Sequence, residues 1–237
     1  MKQVITSKSN PKVKHAISLK ESKNRKAEKL FLAETFNALE LALIHHQVVE
    51  IFTTVDKDYP EDISVYLVNE EILKKISQNV NPEGVVFICK MKEEIKKSDK
   101  ILYLDHISDP GNLGTLIRTA LAFDYDLVVT SPDSVDLYNP KVVNSTKGAI
   151  FALPVMQRDI KEMKRDHEVI VSLLDQEATP VEDIKVGKKF ILVLGNESHG
   201  VSSEAIKEAT QKVYIPIKNI DSLNVAVAGA ILMNKIH

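Results

Sequence analysis

The sequence predicts an α/β protein: a domain built on a mostly parallel sheet, preceded by a smaller α/β domain. Three observations carry that expectation. Short apolar runs of strand length alternate with helical patterns along the chain. A charge-rich stretch at 90–100, KMKEEIKKSDK, separates two such alternating blocks, 1–95 and 96–237. The length of 237 residues accommodates a small domain beside a medium one.

In the first block, Ser9-Asn10-Pro11 places a capping residue before a proline in a first helical turn. Ala16, Leu19 and Leu30 carry the apolar face that follows. Phe36 to Leu43 reads as a second helix through Ala38, Leu39, Ala42 and Leu43. Val48 to Phe52 and Val65 to Val68 are short buried strands, Glu71 to Gln78 a helix, and Val85 to Cys89 a third strand.

The second block opens on the apolar strand Ile101 to Ile107. A turn at Pro110-Gly111 leads into a helix from Asn112 to Phe123. Leu127 to Val129 is the next strand, Phe151 to Val155 is strand-like, Arg158 to Arg165 is a polar helix, and Glu168 to Leu173 is a strand. Phe190 to Leu194 is a strand ending in Gly195. Ser202 to Ala209 is a short helix, Val213 to Ile217 the last strand, and Ser222 to Ile236 an apolar C-terminal helix. Strands alternating with helices imply a sheet covered on both faces.

Composition narrows the function. The chain is 44% hydrophobic and 27% charged, an ordinary globular balance that excludes a disordered chain or a fibre. Its single cysteine, Cys89, excludes an intrachain disulfide and a cysteine-built metal site. No apolar run reaches the ~20 residues that span a bilayer, and the first residues carry no signal-like stretch, so a cytoplasmic protein without a membrane partner is expected.

The net charge of −2 conceals an asymmetry. Residues 1–30 hold nine basic and two acidic side chains, a local +7, which leaves −9 for the rest. Lys12, Lys14, Lys23, Arg25 and Lys26 form the centre of this basic segment. Such a cluster neutralises phosphates whatever the base sequence. With aromatics at 5% and no Trp, extensive base-stacking platforms are not expected.

Three polar clusters follow apolar strands, where open α/β sheets bind ligands. The first is Asp109-Pro110-Gly111-Asn112-Leu113-Gly114, with Arg118 nearly two turns into the next helix. A guanidinium there suits a phosphate; an ordinary strand-turn-helix with a solvent-facing Arg leaves the same trace. The glycine spacing fits neither the dinucleotide fingerprint nor the nucleoside-triphosphate loop. The second runs Leu194-Gly195-Asn196-Glu197-Ser198-His199-Gly200, a carboxylate delivered into a glycine-bounded loop. His199 has no assignable acidic partner and reads as a loop residue. In the third, Ile215-Pro216-Ile217 leads to Asp221-Ser222-Leu223-Asn224-Val225-Ala226. Asp221 and Ser222 are candidate helix caps, which leaves the amide of Asn224 unexplained in an apolar first turn.

Together these clusters resemble the signature motifs of the SpoU, or TrmH-like, RNA 2′-O-ribose methyltransferases of the SPOUT superfamily. The first family motif, Asp-Pro-x-Asn-x-Gly-x-x-x-Arg-Thr-Ala, matches Asp109, Pro110, Asn112, Gly114, Arg118, Thr119 and Ala120. The second, Leu-Gly-x-Glu-x-x-Gly, matches Leu194, Gly195, Glu197 and Gly200. The third, Ile-Pro followed by Ser-Leu-Asn-Val-Ala/Ser, matches Ile215, Pro216, Ser222, Leu223, Asn224, Val225 and Ala226. There are departures. Asp124 stands where a Gly is frequent, Ser198 replaces a frequent Gly, Asn144 takes the place of an Arg, and the loop from Ile217 to Asp221 is one residue short.

The resemblance implies a homodimer whose C-terminal domain, 96–237, binds S-adenosyl-L-methionine and carries a trefoil knot over Leu192 to Ile236. Residues 1–95 would form the RNA-binding domain. The reaction implied is methyl transfer to a ribose 2′-hydroxyl, with 23S ribosomal RNA favoured. Transfer RNA as substrate, methylation of a base, and a non-catalytic RNA-binding role are the alternatives. Arg118, Asn112, Glu197, Ser222 and Asn224 are the implied catalytic residues. Leu194, Gly195, Asn196, Gly200, Ile215, Ile217, Leu223 and Asn224 would hold the cofactor. Lys12, Lys14, Lys23, Arg25, Lys26 and Arg118 would meet RNA, and no metal is required.

Overall fold

The computed structural model describes residues 2–92, 98–163, 166–175, 177–196 and 198–237. The elements of the first half are β1 (Lys2–Ile5), α1 (Pro11–Ser18), α2 (Ser22–Glu28), β2 (Leu30–Glu34), α3 (Phe36–Ile44), β3 (Val48–Thr53), β4 (Ser64–Val68), α4 (Glu70–Ile76) and β5 (Val85–Lys90). Then follow β6 (Lys100–Leu104), α5 (Pro110–Ala122), β7 (Leu127–Thr130), α6 (Pro140–Ser145), α7 (Ala149–Ala152), β8 (Val155–Gln157) and β9 (Glu168–Ser172). The chain ends with β10 (Thr179–Pro180), β11 (Phe190–Leu194), α8 (Ser203–Lys207), β12 (Gln211–Tyr214) and α9 (Val225–Lys235). Two compact units result: Met1–Lys92 with Tyr138–Ala152, and Glu93–Leu137 with Leu153–His237.

The first unit is built on a five-stranded sheet in the order β1-β4-β3-β5-β2. Strands β1, β4 and β3 run parallel, whereas β5 pairs antiparallel with both β3 and β2. Asn10 caps α1 by accepting the Lys12 N–H at 2.8 Å, with Pro11 in the first turn. Val13 and Ala16 bury against Phe52, Tyr66, Ile72 and Val86 in one core. Helix α2 stops at Lys29, whose φ of 56° is left-handed. Leu30 therefore begins a strand instead of extending the helix face, which corrects the periodicity argument.

Tyr138–Ala152 packs with this unit although it lies far along the chain. Phe151 stacks on Phe31 with ring centroids 5.9 Å apart and tilts against Phe87 at 6.1 Å. Its carbonyl accepts hydrogen bonds from the buried Gln47 amide at 3.0 Å and from Lys92 at 2.6 Å. The strand expected over Phe151 to Val155 thus begins inside the short helix α7, which ends at Ala152, and only Val155–Gln157 is strand. Gly148, at φ 94°, makes the turn that starts α7. A Cβ at that position would lie 2.5 Å from the movable Leu41 Cδ1, and the positive φ strains any residue but glycine there.

The second unit carries a seven-stranded, wholly parallel sheet in the order β10-β12-β9-β11-β6-β7-β8. Strand β11 is buried along its whole length, as a central strand covered on both faces must be. The polar helix expected from Arg158 to Arg165 contains only a 3-10 turn at Ile160–Glu162; Lys164 and Arg165 lie outside the described residues. From β6 the sheet grows in both directions, to β7 and β8 on one side and to β11, β9 and β12 on the other. Such a switch point opens a crevice at the carboxyl ends of the strands.

Candidate functional site

Strands β9, β11 and β12 of the second unit end together, and a pocket of about 280 Å³ lies beyond them. Its walls are Ser172 to Leu174, Leu194 to Asn196, Gly200, Tyr214, Ile215, Ile217, Ser222, Leu223, Val225 and Ala228. Seven of the eight predicted cofactor residues line it: Leu194, Gly195, Asn196, Gly200, Ile215, Ile217 and Leu223. Strand β12 stops at Tyr214 rather than Ile217, because Pro216 has no N–H to extend the ladder. Ile215 and Ile217 are released from the sheet and turn to the pocket. Ser172, Leu173, Leu174 and Tyr214 were not singled out in the sequence. The signal that places them is the strand order, which puts β9 beside β11.

The loop after β11 is held rigidly. Asn196 and Gly200 exchange two backbone hydrogen bonds, each 2.9 Å. The Asn196 carbonyl oxygen accepts from the Ser198 and His199 N–H groups at 2.8 and 3.2 Å, while its Nδ2 donates to the His106 carbonyl at 2.8 Å. Asp105, only 2% exposed, accepts the Ser202 N–H at 2.7 Å and pairs with His106 Nδ1 at 2.8 Å. The buried Asp105 carboxylate holds the Ser202 end of the loop and the His106 carbonyl holds the Asn196 end, so both are tied to the chain just after β6. Glu197, the expected carboxylate of this loop, lies outside the described residues.

Apolar walls with a loop of backbone amides fit an adenosyl group, whose ring would pack on the side chains and whose polar edge would meet main-chain N–H and C=O groups. Gly195 is required for this architecture. A Cβ there would lie 2.3 Å from the Gly200 carbonyl carbon and the Val201 nitrogen. The residues present therefore suit S-adenosylmethionine.

The structure brings Asn112 and Asn224 together and accounts for both. Asp109 caps α5 by accepting the Asn112 N–H at 2.7 Å. Asn224, not Asp221 or Ser222, caps α9: its side-chain oxygen accepts from Ala226 N–H at 2.9 Å and Val227 N–H at 3.3 Å. Its Nδ2 donates to Asn112 Oδ1 at 3.1 Å, joining the first and third motifs. The helix begins three residues later than the sequence suggested, and the unexplained amide is its cap. Asn224→Ala is expected to cost about 1 kcal/mol in stability, a fall in Tm of about 2–4 °C. Asn224→Asp keeps the cap and should recover most of it, although it loses the donor to Asn112. Thermal unfolding of both variants checks this.

Arg118 is not brought to these amides. It stands on the exposed stripe of α5 with Thr115 and Ala122 and has no ion-pair partner among the described residues. Ser222 lies at the pocket wall.

The basic segment is narrower than its charge suggests. Arg25 is 3% exposed and donates to the carbonyls of Leu19 and Lys20 at 3.1 and 2.6 Å. It ties the end of α1 to α2, so it is withdrawn from the RNA-facing set. Lys12 is bonded to Glu50, which raises its pKa and neutralises its charge locally. Lys14, Lys23 and Lys26 are exposed and form no ion pair among the described residues. Cys89 is buried in β5, where burial pushes its thiol pKa up and keeps it protonated.

Comparison with known proteins agrees with this site. Residues 99–234 match the model of the SpoU rRNA Methylase family, and residues 10–86 match the MRM3-like substrate binding domain. The chain is 32% identical over 244 residues to the 23S rRNA (guanosine(2553)-2′-O)-methyltransferase RlmP of Bacillus subtilis, covering 98% of each chain. An rRNA methyltransferase from Sinorhizobium meliloti, 27% identical, has a TM-score of 0.87 over 99% of this chain and 96% of that one. The AdoMet-bound structure from the same organism, 26% identical, has a TM-score of 0.87 over 99% and 97% of the two chains. With the family model spanning more than half of its length and this relative matching almost end to end, the chain belongs to the SpoU rRNA methylase family.

Proposed function

We propose that this protein transfers the methyl group of S-adenosylmethionine to a ribose 2′-hydroxyl of ribosomal RNA, with 23S RNA as the substrate. The observation that carries the proposal is the pocket beyond β9, β11 and β12, whose apolar walls and glycine-bounded loop come from two of the three motifs. Bound S-adenosylmethionine supplies a methyl carbon on a sulfonium, a leaving group that needs no metal. The chain has to align the hydroxyl with that methyl and keep water away. Leu173, Leu194, Ile215, Ile217 and Leu223 exclude water from the adenosyl side.

Arg118 is the residue proposed to meet the reacting ribose and its phosphate. A guanidinium has a pKa above about 12, so its role is to neutralise the phosphate and stabilise charge that develops on the 2′-oxygen while the hydroxyl proton passes to bulk water. Asn112, Glu197, Ser222 and Asn224 are assigned to orienting the ribose and the loop. We place the enzyme in the cytoplasm with its RNA; no helix among the described residues is long and apolar enough to cross a membrane.

A homodimer fits the surface of α5 and α9. Leu121 and Val227 are 39% and 51% exposed, and Arg118 shares that side of α5 with Leu121. A second copy over this face would cover both apolar side chains and give Arg118 a site to complete. Sedimentation should return twice the chain mass, and Val227→Asp should reduce it to one chain.

RNA grip is assigned to the first unit. Replacing Lys14, Lys23 and Lys26 with Gln is expected to weaken RNA binding and lower the slope of log K against log salt by about 2–3. An unchanged slope removes this patch from the mechanism. The activity itself is tested by mapping ribose methylation in total RNA with and without the protein. Mass spectrometry of digested product then locates the methyl group: the proposal expects it on the sugar fragment of ribosomal RNA. A methyl on the base, or on transfer RNA alone, overturns it.

A further inference from the structure

A second cavity, of about 350 Å³, lies within the first unit, between the 77–84 loop and the 143–148 segment. It is far more polar than the cofactor pocket and shares no residue with it. Its floor is built. Glu34, 4% exposed, accepts hydrogen bonds from Ser77 Oγ at 2.5 Å, the Gln78 N–H at 2.6 Å and Asn79 Nδ2 at 3.1 Å. Both carboxylate oxygens are committed to holding the 77–84 loop. Asn144 donates to Asn79 Oδ1 at 3.3 Å and ties the second wall to the first.

Residues of the cavity wall adopt positive φ. Thr35 has a φ of 81°, a genuine outlier for a β-branched residue, while Lys147 and Gly148 have φ of 50° and 94°. Gly84, next to the lining residue Glu83, has a φ of 86°.

The side chains left over define the ligand. Asn81, Glu83 and Lys147 line the cavity and form no side-chain hydrogen bond or ion pair among the described residues. One carboxylate, one amide and one ammonium face the same space. A free anion meets Glu83 and the buried Glu34; a free cation meets Lys147. All three are exposed and solvated, and an apolar ligand would strip water from them without replacing it. What satisfies them is a flat group with adjacent donors on one edge and acceptors on another. Guanine has that pattern: N1–H and N2–H2 suit a carboxylate, and O6 and N7 suit an ammonium or amide. Adenine, cytosine and uracil lack the paired donors. Val80, 89% exposed at the rim, offers an apolar contact to a base entering from solvent.

We propose that this cavity captures an unpaired guanine of the RNA, read by Glu83 on its donor edge and by Lys147 and Asn81 on its acceptor edge. The inference rests on the RNA methyltransferase reading and extends it from phosphate grip to base identity, since single-stranded RNA is read on bases that are splayed out of the helix.

The test uses the full chain saturated with S-adenosylhomocysteine. The probes are three RNA hairpins that differ only in one loop nucleotide: guanosine, inosine or adenosine in a uridine loop. Inosine removes N2–H2 alone, and adenosine removes both donors. The guanosine hairpin is expected to bind about tenfold more tightly than the other two. Glu83→Gln should abolish that preference while S-adenosylhomocysteine binding is retained. Equal affinity for the three hairpins, or a guanosine preference that survives Glu83→Gln, overturns the guanine site and leaves RNA methyl transfer standing. Failure to bind any hairpin overturns both.

Discussion

Arg118→Ala is expected to lower methyl transfer by about two to three orders of magnitude, the usual loss when a group that stabilises developing charge is removed. S-adenosylmethionine affinity should not change, because Arg118 is absent from the walls of the cofactor pocket. Stability should not change either: the side chain is exposed and forms no ion pair among the described residues. Few residues combine so large an expected effect on rate with so little expected effect on fold. Arg118→Lys sharpens the test. It keeps the charge and loses the planar fork, so it should recover part of the rate if neutralisation matters and little of it if bidentate geometry matters. Single-turnover rates with a mapped RNA substrate separate the two. A loss confined to KM would assign Arg118 to ground-state RNA binding. Full activity in Arg118→Ala would remove the residue from the mechanism.

How much of this was legible in the sequence depends on whether the determining physics is local. The cap at Asn10 and the strand at Phe190–Leu194 follow from neighbouring residues, and both form as expected. Most residues expected from the second and third motifs to hold the cofactor line one pocket because each motif follows an apolar strand, and strand ends are where parallel sheets bind ligands. What was not legible depends on partners and backbone turns that residue types do not name, some near in the chain and some far. Asn224 looked anomalous because Asp221 and Ser222 offered themselves as caps of α9 first, and because its other partner, Asn112, is 112 positions away. Arg25 counted as surface charge until its guanidinium met the carbonyls at the end of α1. Leu30 fitted a helical period that Lys29 interrupts with a left-handed residue. Phe151 looked like part of a strand because its apolar neighbours conceal which surface they cover, namely the rings of Phe31 and Phe87. The polar cavity of the first unit is the extreme case, since its walls come from segments some 65 residues apart.

The two glycines of the second motif look alike in sequence, yet the structure predicts different outcomes for them. Gly195→Ala should be severe. Its new Cβ would meet the Gly200 carbonyl carbon and Val201 nitrogen at 2.3 Å and the Gly200 oxygen at 2.5 Å. All three are backbone atoms, so no side chain can swing aside. Relief requires moving a loop that is bonded to itself through Asn196 and Gly200 and to β6 through Asp105 and the His106 carbonyl. Overpacking of this kind costs about 1–3 kcal/mol and occasionally more, and the atoms displaced are pocket walls. S-adenosylmethionine binding by calorimetry should weaken by about tenfold or more, since 1.4 kcal/mol is already a factor of ten. Gly200→Ala meets nothing within 4 Å, and its only difficulty is a φ of 70°. A left-handed non-glycine residue costs about 1–2 kcal/mol, which should appear as a lower Tm with the pocket still formed. The crossing of the chain at Gly195, rather than flexibility of the loop, is then the reason for a glycine there. Equal loss of cofactor affinity in the two variants, or retained affinity in Gly195→Ala, would show that the close backbone approach is not what shapes the site.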